Sequence, residues 1–186
     1  RRLASSEAEV AFTQNDIADY AFNGTEMFKD KKVTNFKSLG ALYPEVLQWL
    51  VTSDIKTLAD LKGKRFVVGA AGSGTEVNTR QVLEANGMTY ADLSKVVQVS
   101  FAEAASAMKD RQVDGFAVTG GVPTSALTDA LTGVDAHLLP LDGDVAKKTI
   151  EKNPFMVNAT VPANSYKGQT ADLGTVAVLS TVVVRD

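Results

Sequence analysis

Cysteine is absent from the 186 residues, so neither disulfides nor thiol chemistry contribute to the protein. This absence does not fix the compartment, because many exported bacterial proteins also lack cysteine. Histidine occurs once, at position 137, and no G-x-S-x-G motif accompanies it. A histidine-dependent triad would have to use His137, and we predict a structural role for it instead.

An excess of positive charge and long apolar runs are also missing. The formal charge of −3 and the pI near 5.2 give no electrostatic basis for binding nucleic acid. No apolar run approaches the roughly 20 residues of a membrane-spanning helix. No loop has the acidic spacing of an EF-hand, and we predict neither a metal nor a cofactor. The 45% hydrophobic and 22% charged residues are typical of a globular chain.

The two ends of the chain lack the usual signals of a natural terminus. There is no initiator methionine or signal peptide, the first residues resemble the end of a helix, and "TVVVRD" stops just after a strand-like run. We therefore expect an interior piece of a longer protein.

Strand-like and helix-like patterns alternate along most of the chain, which predicts an α/β fold with largely parallel sheets. Strands are predicted at residues 9–14, 65–69, 96–99 and 115–119, in "AHLLPLD" and in "TVAVLSTVVVRD". Helices are predicted in "NDIADYAFNG", at 57–61 and 75–86, from Phe101, in "VPTSALTDAL" with Pro123 in the first turn, and in "DVAKKTIEKNP". Pro44 interrupts the apolar run 36–52, which favours two strands joined at the proline.

Local signals refine some of these elements. Ser100 and Glu103 form the S-x-x-E pattern of a capping box, ahead of apolar residues at helical spacing. Asn15 or Asp16 is a plausible N-cap for a helix that Gly24 ends. Trp49 and Phe22 are predicted to lie in the core. The helix at 75–86 should bury Thr79, Val82 and Leu83.

Two stretches, residues 3–16 and 108–121, share one order of features. Each has a helix end, an acidic residue, a buried strand and a polar loop that precedes a new helix. Ligands of open α/β sheets collect at such carboxyl ends of strands. The repetition suggests two lobes of similar architecture, although any βα unit can match this loosely by chance.

The loop in "GAAGSGTEVNTRQVLEANG" is the first candidate site. Exposed amides at Gly72, Ser73, Gly74 and Thr75, with the partial charge of a helix start, would favour a carboxylate by ~0.3–1 kcal/mol. The serine and threonine hydroxyls could add donors. The alternative is a purely structural turn in which one of these hydroxyls caps the helix. The loop lacks the lysine of a P-loop and the spacing of G-x-G-x-x-G, so nucleotide binding is disfavoured.

Two further polar loops follow predicted strands. The side chains of Gln14, Asn15 and Asp16 could donate to a ligand oxygen or accept from an ammonium group. Gly120, Gly121 and Thr124 combine close backbone approach with a hydroxyl donor. For each loop, capping of the following helix is an equally open interpretation.

Several long motifs together resemble the TAXI subgroup of TRAP-transporter solute receptors. They are "AFTQNDIADYAFNG", "LGALYPEVLQWLV", "IKTLADLKGKRFVVGAAGSGTEVNTRQVLEANG", "GGVPTSALTDAL" and "VPANSYKGQTADLGTVAV". The resemblance implies a periplasmic, non-enzymatic binding protein with two α/β lobes of the type II binding-protein fold. It also implies a small anionic solute, glutamate or a related dicarboxylate, and a membrane-embedded TRAP transporter as partner.

The resemblance also implies the organisation of the chain and further site residues. Residues 1–50 would be a partial lobe one, 51–174 lobe two, and 175–186 a return strand, with crossings near 49–53 and 175–184. Lobe one would be incomplete, because its first strand, glycine loop and C-terminal helices are not in this sequence. Tyr43 and Asn78 join the predicted ligand contacts, although an aromatic residue beside proline is more often a packing residue, and Tyr166 could line the rim.

A rival interpretation places an enzyme, or the effector domain of a regulator, on the same architecture, since one fold hosts many functions. An enzyme should bring titratable groups to the cleft, and only Asp16 and Glu45 are candidates. A regulator should carry a DNA-binding segment, which this sequence does not show.

Overall fold

The computed structural model describes residue 3 and residues 5–186, which form two compact units. Unit 1 comprises Arg1–Glu45 and Val178–Asp186, and unit 2 comprises Val46–Ala177. Two long strands, β2 (Phe36–Thr52) and β8 (Leu173–Arg185), contribute residues to both units. The helix end predicted for the first residues lies partly outside the described ones.

Unit 1 begins with β1 (Val10–Gln14), which pairs antiparallel with β8 and places Gln14 opposite Ser180. Helix α1 (Asn15–Asn23) follows directly. Gly24 ends it as predicted, with a left-handed φ of 70° that lets its amide reach the Tyr20 carbonyl at 2.9 Å. The N-cap is Gln14, so the prediction of Asn15 or Asp16 was wrong.

Two predictions of burial in unit 1 were also wrong. Phe22 is 46% exposed, and β1 presents Val10 and Phe12 to solvent although its composition suggested a buried strand. The residues of β2 from Lys37 to Pro44 are likewise exposed. An apolar run alone does not reveal which of its faces another element will cover.

Strand β2 is continuous, so the prediction of two strands joined at Pro44 was wrong. Pro44 lies in the exposed half of the strand, whereas Val46–Val51 are buried. Proline lacks only the amide donor and is tolerated in a strand where no partner needs that donor.

Unit 2 adds β3 (Arg65–Val67), β4 (Lys95–Val97), β5 (Gly115–Gly120), β6 (Ala136–Leu139) and β7 (Val157–Val161). Strand β3 is parallel to β4 and to β5. Strands β5 and β6 are antiparallel to β2, and β7 is antiparallel to β8. The sheet is therefore mixed and not largely parallel, because β2 runs opposite to β5 and β6, and β8 runs opposite to β7.

The helices of unit 2 agree closely with the patterns in the sequence. They are α2 (Gly74–Ala85), α3 (Phe101–Lys109), α4 (Ser125–Gly133) and α5 (Gly143–Lys152), with short 3-10 helices at Leu58–Leu61 and Tyr90–Asp92. The capping box of Ser100 and Glu103 is formed, which confirms the prediction for α3. Pro123 precedes α4 and does not lie in its first turn, because Thr124 takes the N-cap position.

The core of unit 2 lies between the sheet and these helices. Leu50, Phe116 and Leu127 are fully buried in one cluster. Trp49 is 1% exposed and packs on Phe66 with ring centroids 5.3 Å apart, which confirms its predicted place in a core. His137 lies in β6 opposite Val51, where burial lowers its pKa. Among the described helices, none combines the length and the apolar character needed to cross a membrane.

Candidate functional site

Three helices of unit 2 begin at one edge of its sheet. Strands β3, β4 and β5 are mutually parallel neighbours, with β3 in the centre, so their carboxyl ends share that edge. Helices α2, α3 and α4 each follow one of these strands. This edge is where α/β sheets bind ligands, because amides of the helix starts and loop residues converge there.

The start of α2 is packed tightly against the end of β3 by a glycine. Gly69 has a φ of 108°, and a Cβ at this position would lie 2.8 Å from the Glu76 nitrogen and 3.0 Å from the Thr75 Cβ. Only glycine permits both this backbone conformation and this approach. Ser73 is the N-cap, and its hydroxyl oxygen accepts a hydrogen bond from the Glu76 amide at 3.2 Å.

The first amides of α2 remain open. Gly74 and Thr75 are its first two residues, and amides at these positions have no carbonyl within the helix to bond. Thr75 is 4% exposed. Its hydroxyl makes no hydrogen bond to any of the residues that the structure describes. One turn further, the Thr79 hydroxyl is buried without a partner in the described chain. Two amides and two hydroxyls thus lie on the first two turns of one helix.

The other predicted residues of this loop differ in their surroundings. Gly72 is exposed and has a left-handed φ of 70°, so it forms the turn ahead of the cap. Asn78 is fully buried one turn into α2, and its side-chain nitrogen lies 3.4 Å from the Gln81 oxygen. The structure therefore brings Gly72, Ser73, Gly74, Thr75 and Asn78 together on one helix start.

The start of α3 is occupied by its own side chain. The Glu103 carboxylate accepts hydrogen bonds from the Ser100 amide at 2.9 Å and from the Ser100 hydroxyl at 2.6 Å. These bonds hold the pKa of Glu103 below its ordinary value. An external anion would have to displace this carboxylate to reach the Ser100 donors.

The start of α4 is occupied by a tyrosine from a distant part of the sequence. The Thr124 amide donates to the Tyr166 hydroxyl oxygen at 2.7 Å, and the Thr124 hydroxyl donates to the Gly121 carbonyl at 2.7 Å. Both donors of Thr124 are therefore used within unit 2. Gly120 and Gly121 adjoin this arrangement at the end of β5.

Sequence reasoning missed the residue that holds this tyrosine. The Tyr166 hydroxyl donates to the Gln48 side-chain oxygen at 2.5 Å, and the Gln48 nitrogen donates to the Gly121 carbonyl at 3.2 Å. Gln48 is 1% exposed, and burial raises the pKa of Tyr166. The signal was a single amide within the apolar run "VLQWLV", since a buried polar group requires a partner.

The remaining predicted residues lie in unit 1. Gln14 is 8% exposed, and its nitrogen donates to the Glu45 carboxylate at 3.1 Å. The Asn15 side-chain oxygen accepts from the Leu179 amide at 3.0 Å, which ties the start of α1 to β8. Asp16 is 1% exposed, whereas Tyr43 is 51% exposed on β2. The end of β1 thus gathers three of these residues, and Tyr43 lies apart from them in sequence.

Unit 2 also has a groove of about 470 Å³ that no sequence pattern predicted. The edge of β6, including His137, and the segment 166–174 line it. Among the described residues, no group of three or more His, Asp or Glu side chains is arranged to hold a metal ion.

The fold is shared with solved structures of periplasmic binding proteins. The aliphatic sulphonate binding protein SsuA of Escherichia coli is 21% identical, with a TM-score of 0.55 over 74% of this chain and 42% of that one. The alkanesulfonate-binding protein SsuA of Xanthomonas axonopodis pv. citri, bound to MOPS, is 20% identical, with a TM-score of 0.56 over 99% and 50%. The substrate binding protein of an amino acid ABC transporter is 13% identical, with a TM-score of 0.52 over 100% and 60%.

These matches confirm the predicted α/β fold of binding proteins, and identities of this size show the fold alone. The chain spans about half the length of the structures it matches, from 42% to 60%. A family model described as the NMT1-like family matches residues 1–186. On this match over its whole length, the chain belongs to the NMT1-like family.

Proposed function

We propose that the protein is the solute-binding component of a bacterial transporter, acts outside the cytoplasm, and binds a small anionic solute at the start of α2. The observation that carries the proposal is the set of open donors at this helix start: the Gly74 and Thr75 amides and the hydroxyl of Thr75, a residue that is 4% exposed. One solved protein of the same fold is described as a periplasmic aliphatic sulphonate binding protein and another as an alkanesulfonate-binding protein, which supports an acidic ligand and this location.

The chemistry required is binding and not catalysis. Open amides at a helix start carry partial positive charge and need no counter-ion, so they can accept an oxyanion without a large cost of removing a charged side chain from water. The Ser73 hydroxyl already accepts from the Glu76 amide, and its own hydrogen remains available to the solute. Carboxylate and sulfonate oxygens both suit this arrangement.

Finer parts of the proposal follow from the resemblance to the TAXI subgroup. They are a TRAP-type membrane partner and a glutamate or related dicarboxylate ligand. In unit 1 the proposal assigns ligand contacts to Gln14, Asn15, Asp16 and Tyr43, and in unit 2 it adds Gly120, Gly121 and Thr124 to the start of α2. The use of Thr124 donors by Tyr166 and Gly121 makes α2 the principal anion position of unit 2.

Calorimetric titration with sodium L-glutamate, sodium succinate and sodium ethanesulfonate tests the proposal. Succinamide, the neutral counterpart of succinate, is the matched control for charge. We expect at least one acid to bind and succinamide not to bind, because the open amides favour an anion. Tight binding of glutamate or succinate would support the dicarboxylate assignment, and preference for ethanesulfonate would support a sulfonate. Absence of binding by every acid would contradict the proposed function.

A further inference from the structure

Helices α2 and α3 begin with the same residue pattern but use it differently. Ser73 and Glu76 occupy the cap and third helical positions of α2, as Ser100 and Glu103 do in α3. In α3 the glutamate carboxylate turns back onto its serine at 2.6 Å. In α2 the Ser73 hydroxyl oxygen accepts from the Glu76 amide, but the Glu76 carboxylate accepts no bond from Ser73, whose amide donates to the Ala70 carbonyl at 3.0 Å.

The Glu76 carboxylate is held by a tyrosine instead. The Tyr90 hydroxyl donates to Glu76 Oε1 at 2.8 Å and lies 3.1 Å from the Glu76 carbonyl oxygen. Tyr90 begins the short 3-10 helix Tyr90–Asp92, which a capping box between Thr89 and Asp92 fixes in place. Burial, followed by the bond to Glu76, raises the pKa of Tyr90, so the phenol keeps its proton and remains a donor.

We propose that Tyr90 is a positioning residue, which holds the Glu76 carboxylate away from Ser73 and so keeps the Ser73 hydroxyl at the start of α2 open to an anionic solute. This inference rests on the proposed function. A carboxylate at the third helical position is attracted to the partial positive charge of the helix start. Because it is tethered there, a released Glu76 would compete with the solute at a high effective concentration.

The state of the donors at this helix start agrees with such a role. Thr75 is 4% exposed, and no hydrogen bond of its hydroxyl is found within the described chain. The buried Thr79 hydroxyl also has no partner in the part of the chain that the structure describes. A buried hydroxyl is normally satisfied, so the Thr79 hydroxyl on the same helix agrees with a ligand that supplies the missing oxygen.

Four variants separate this role from a merely structural one: Tyr90→Phe, Glu76→Gln, the double variant, and Glu103→Gln as the matched control at the third position of α3. We expect Tyr90→Phe to weaken binding of sodium ethanesulfonate or sodium L-glutamate about fivefold. This factor corresponds to the stabilisation that an anionic group gains at a helix start. Glu76→Gln in the Tyr90→Phe background should restore affinity, and Glu103→Gln should leave it unchanged. Calorimetry measures each affinity.

A ligand-free measurement keeps this inference distinguishable from the proposed function. In NMR spectra of the unliganded protein, Tyr90→Phe should shift the Gly74 and Thr75 amide resonances, and added Glu76→Gln should reverse the shift. Unmoved resonances, or a double variant that binds no better than Tyr90→Phe, would overturn the role of Tyr90. Reversible shifts in a protein that binds neither acid would refute the proposed function and leave the displacement of Glu76 standing.

Discussion

The Tyr166 hydroxyl lies at the start of α4, where its oxygen accepts a hydrogen bond from the Thr124 amide at 2.7 Å. Tyr166 follows Thr124 by 42 residues in the chain. The same hydroxyl donates to Gln48, which is buried in β2. One phenol thus satisfies a buried side-chain oxygen and a part-buried amide that come from different elements. It stands where a ligand oxygen would lie at an open helix start.

Tyr166→Phe should therefore destabilise unit 2. The substitution keeps the buried ring but leaves the Thr124 amide and the buried Gln48 oxygen without their partner. The unsatisfied Gln48 oxygen alone costs about 1–3 kcal/mol. Urea unfolding followed by circular dichroism measures the loss. Tyr43→Phe is the matched control, because Tyr43 is 51% exposed, and its stability should stay within about 0.5 kcal/mol of the wild type. Equal stability of both variants would contradict the role of the phenol.

Gly69→Ala should disturb the start of α2 more than a glycine substitution elsewhere. The added Cβ would meet the Glu76 nitrogen at 2.8 Å, and the φ of 108° is unfavourable for alanine. We expect a loss of about 2 kcal/mol or more in the free energy of unfolding. Gly63→Ala is the control, since its φ of 73° is also positive but nothing lies within 4 Å of its Cβ. A cost no larger than that of Gly63→Ala would show that the packing of β3 on α2 tolerates a methyl group.

Thr75→Ala should weaken binding of the anionic solute by about tenfold or more, because a hydrogen bond to a charged group contributes about 1.5–3 kcal/mol. Thr75→Ser retains the hydroxyl and should retain most of the affinity. Thr160→Ala, at an exposed position of β7, should bind like the wild type. Titration calorimetry with the acids named above gives each constant, and unchanged affinity in Thr75→Ala would argue against this helix start as the site.

Asp114→Asn should change how stability depends on pH. Arg65 donates to Asp114 Oδ1 at 2.6 Å and Oδ2 at 3.1 Å, and this partner holds the pKa of Asp114 below its ordinary value of 3.8. A lowered folded-state pKa stabilises the fold fully above the unfolded value, and this contribution is lost as pH falls through the folded value.

The wild type should thus lose stability relative to Asp114→Asn as pH falls below the ordinary pKa of 3.8 and through the lowered folded-state pKa, and the two should differ most near neutral pH. Chemical unfolding at a series of pH values measures the difference. Parallel pH profiles for the two proteins would show that the ion pair contributes no linkage. Asp144→Asn is the control for the loss of a carboxylate. Asp144 lies in the first turn of α5.

Local patterns predicted the helices of both units because each signal acts within a few residues. The capping box at Ser100 depends only on a glutamate three positions away, and Gly24 ends α1 by a backbone conformation of its own. The order of elements and the glycine loop before α2 were readable for the same reason. Burial was less predictable, as the exposed Phe22 shows, because it depends on which elements meet.

The sequence alone determined the alternation of strands and helices, the loop that precedes α2, and the candidate residues within that loop. Only the tertiary structure decided the direction of β2 in the sheet and which helix starts stay open. Ser73 and Glu76 have the same local pattern as Ser100 and Glu103, yet their hydrogen bonds differ, because Tyr90 binds one glutamate and the other binds its own serine. A side chain folds back locally unless a distant group offers a better partner, and that partner exists only once the chain has folded.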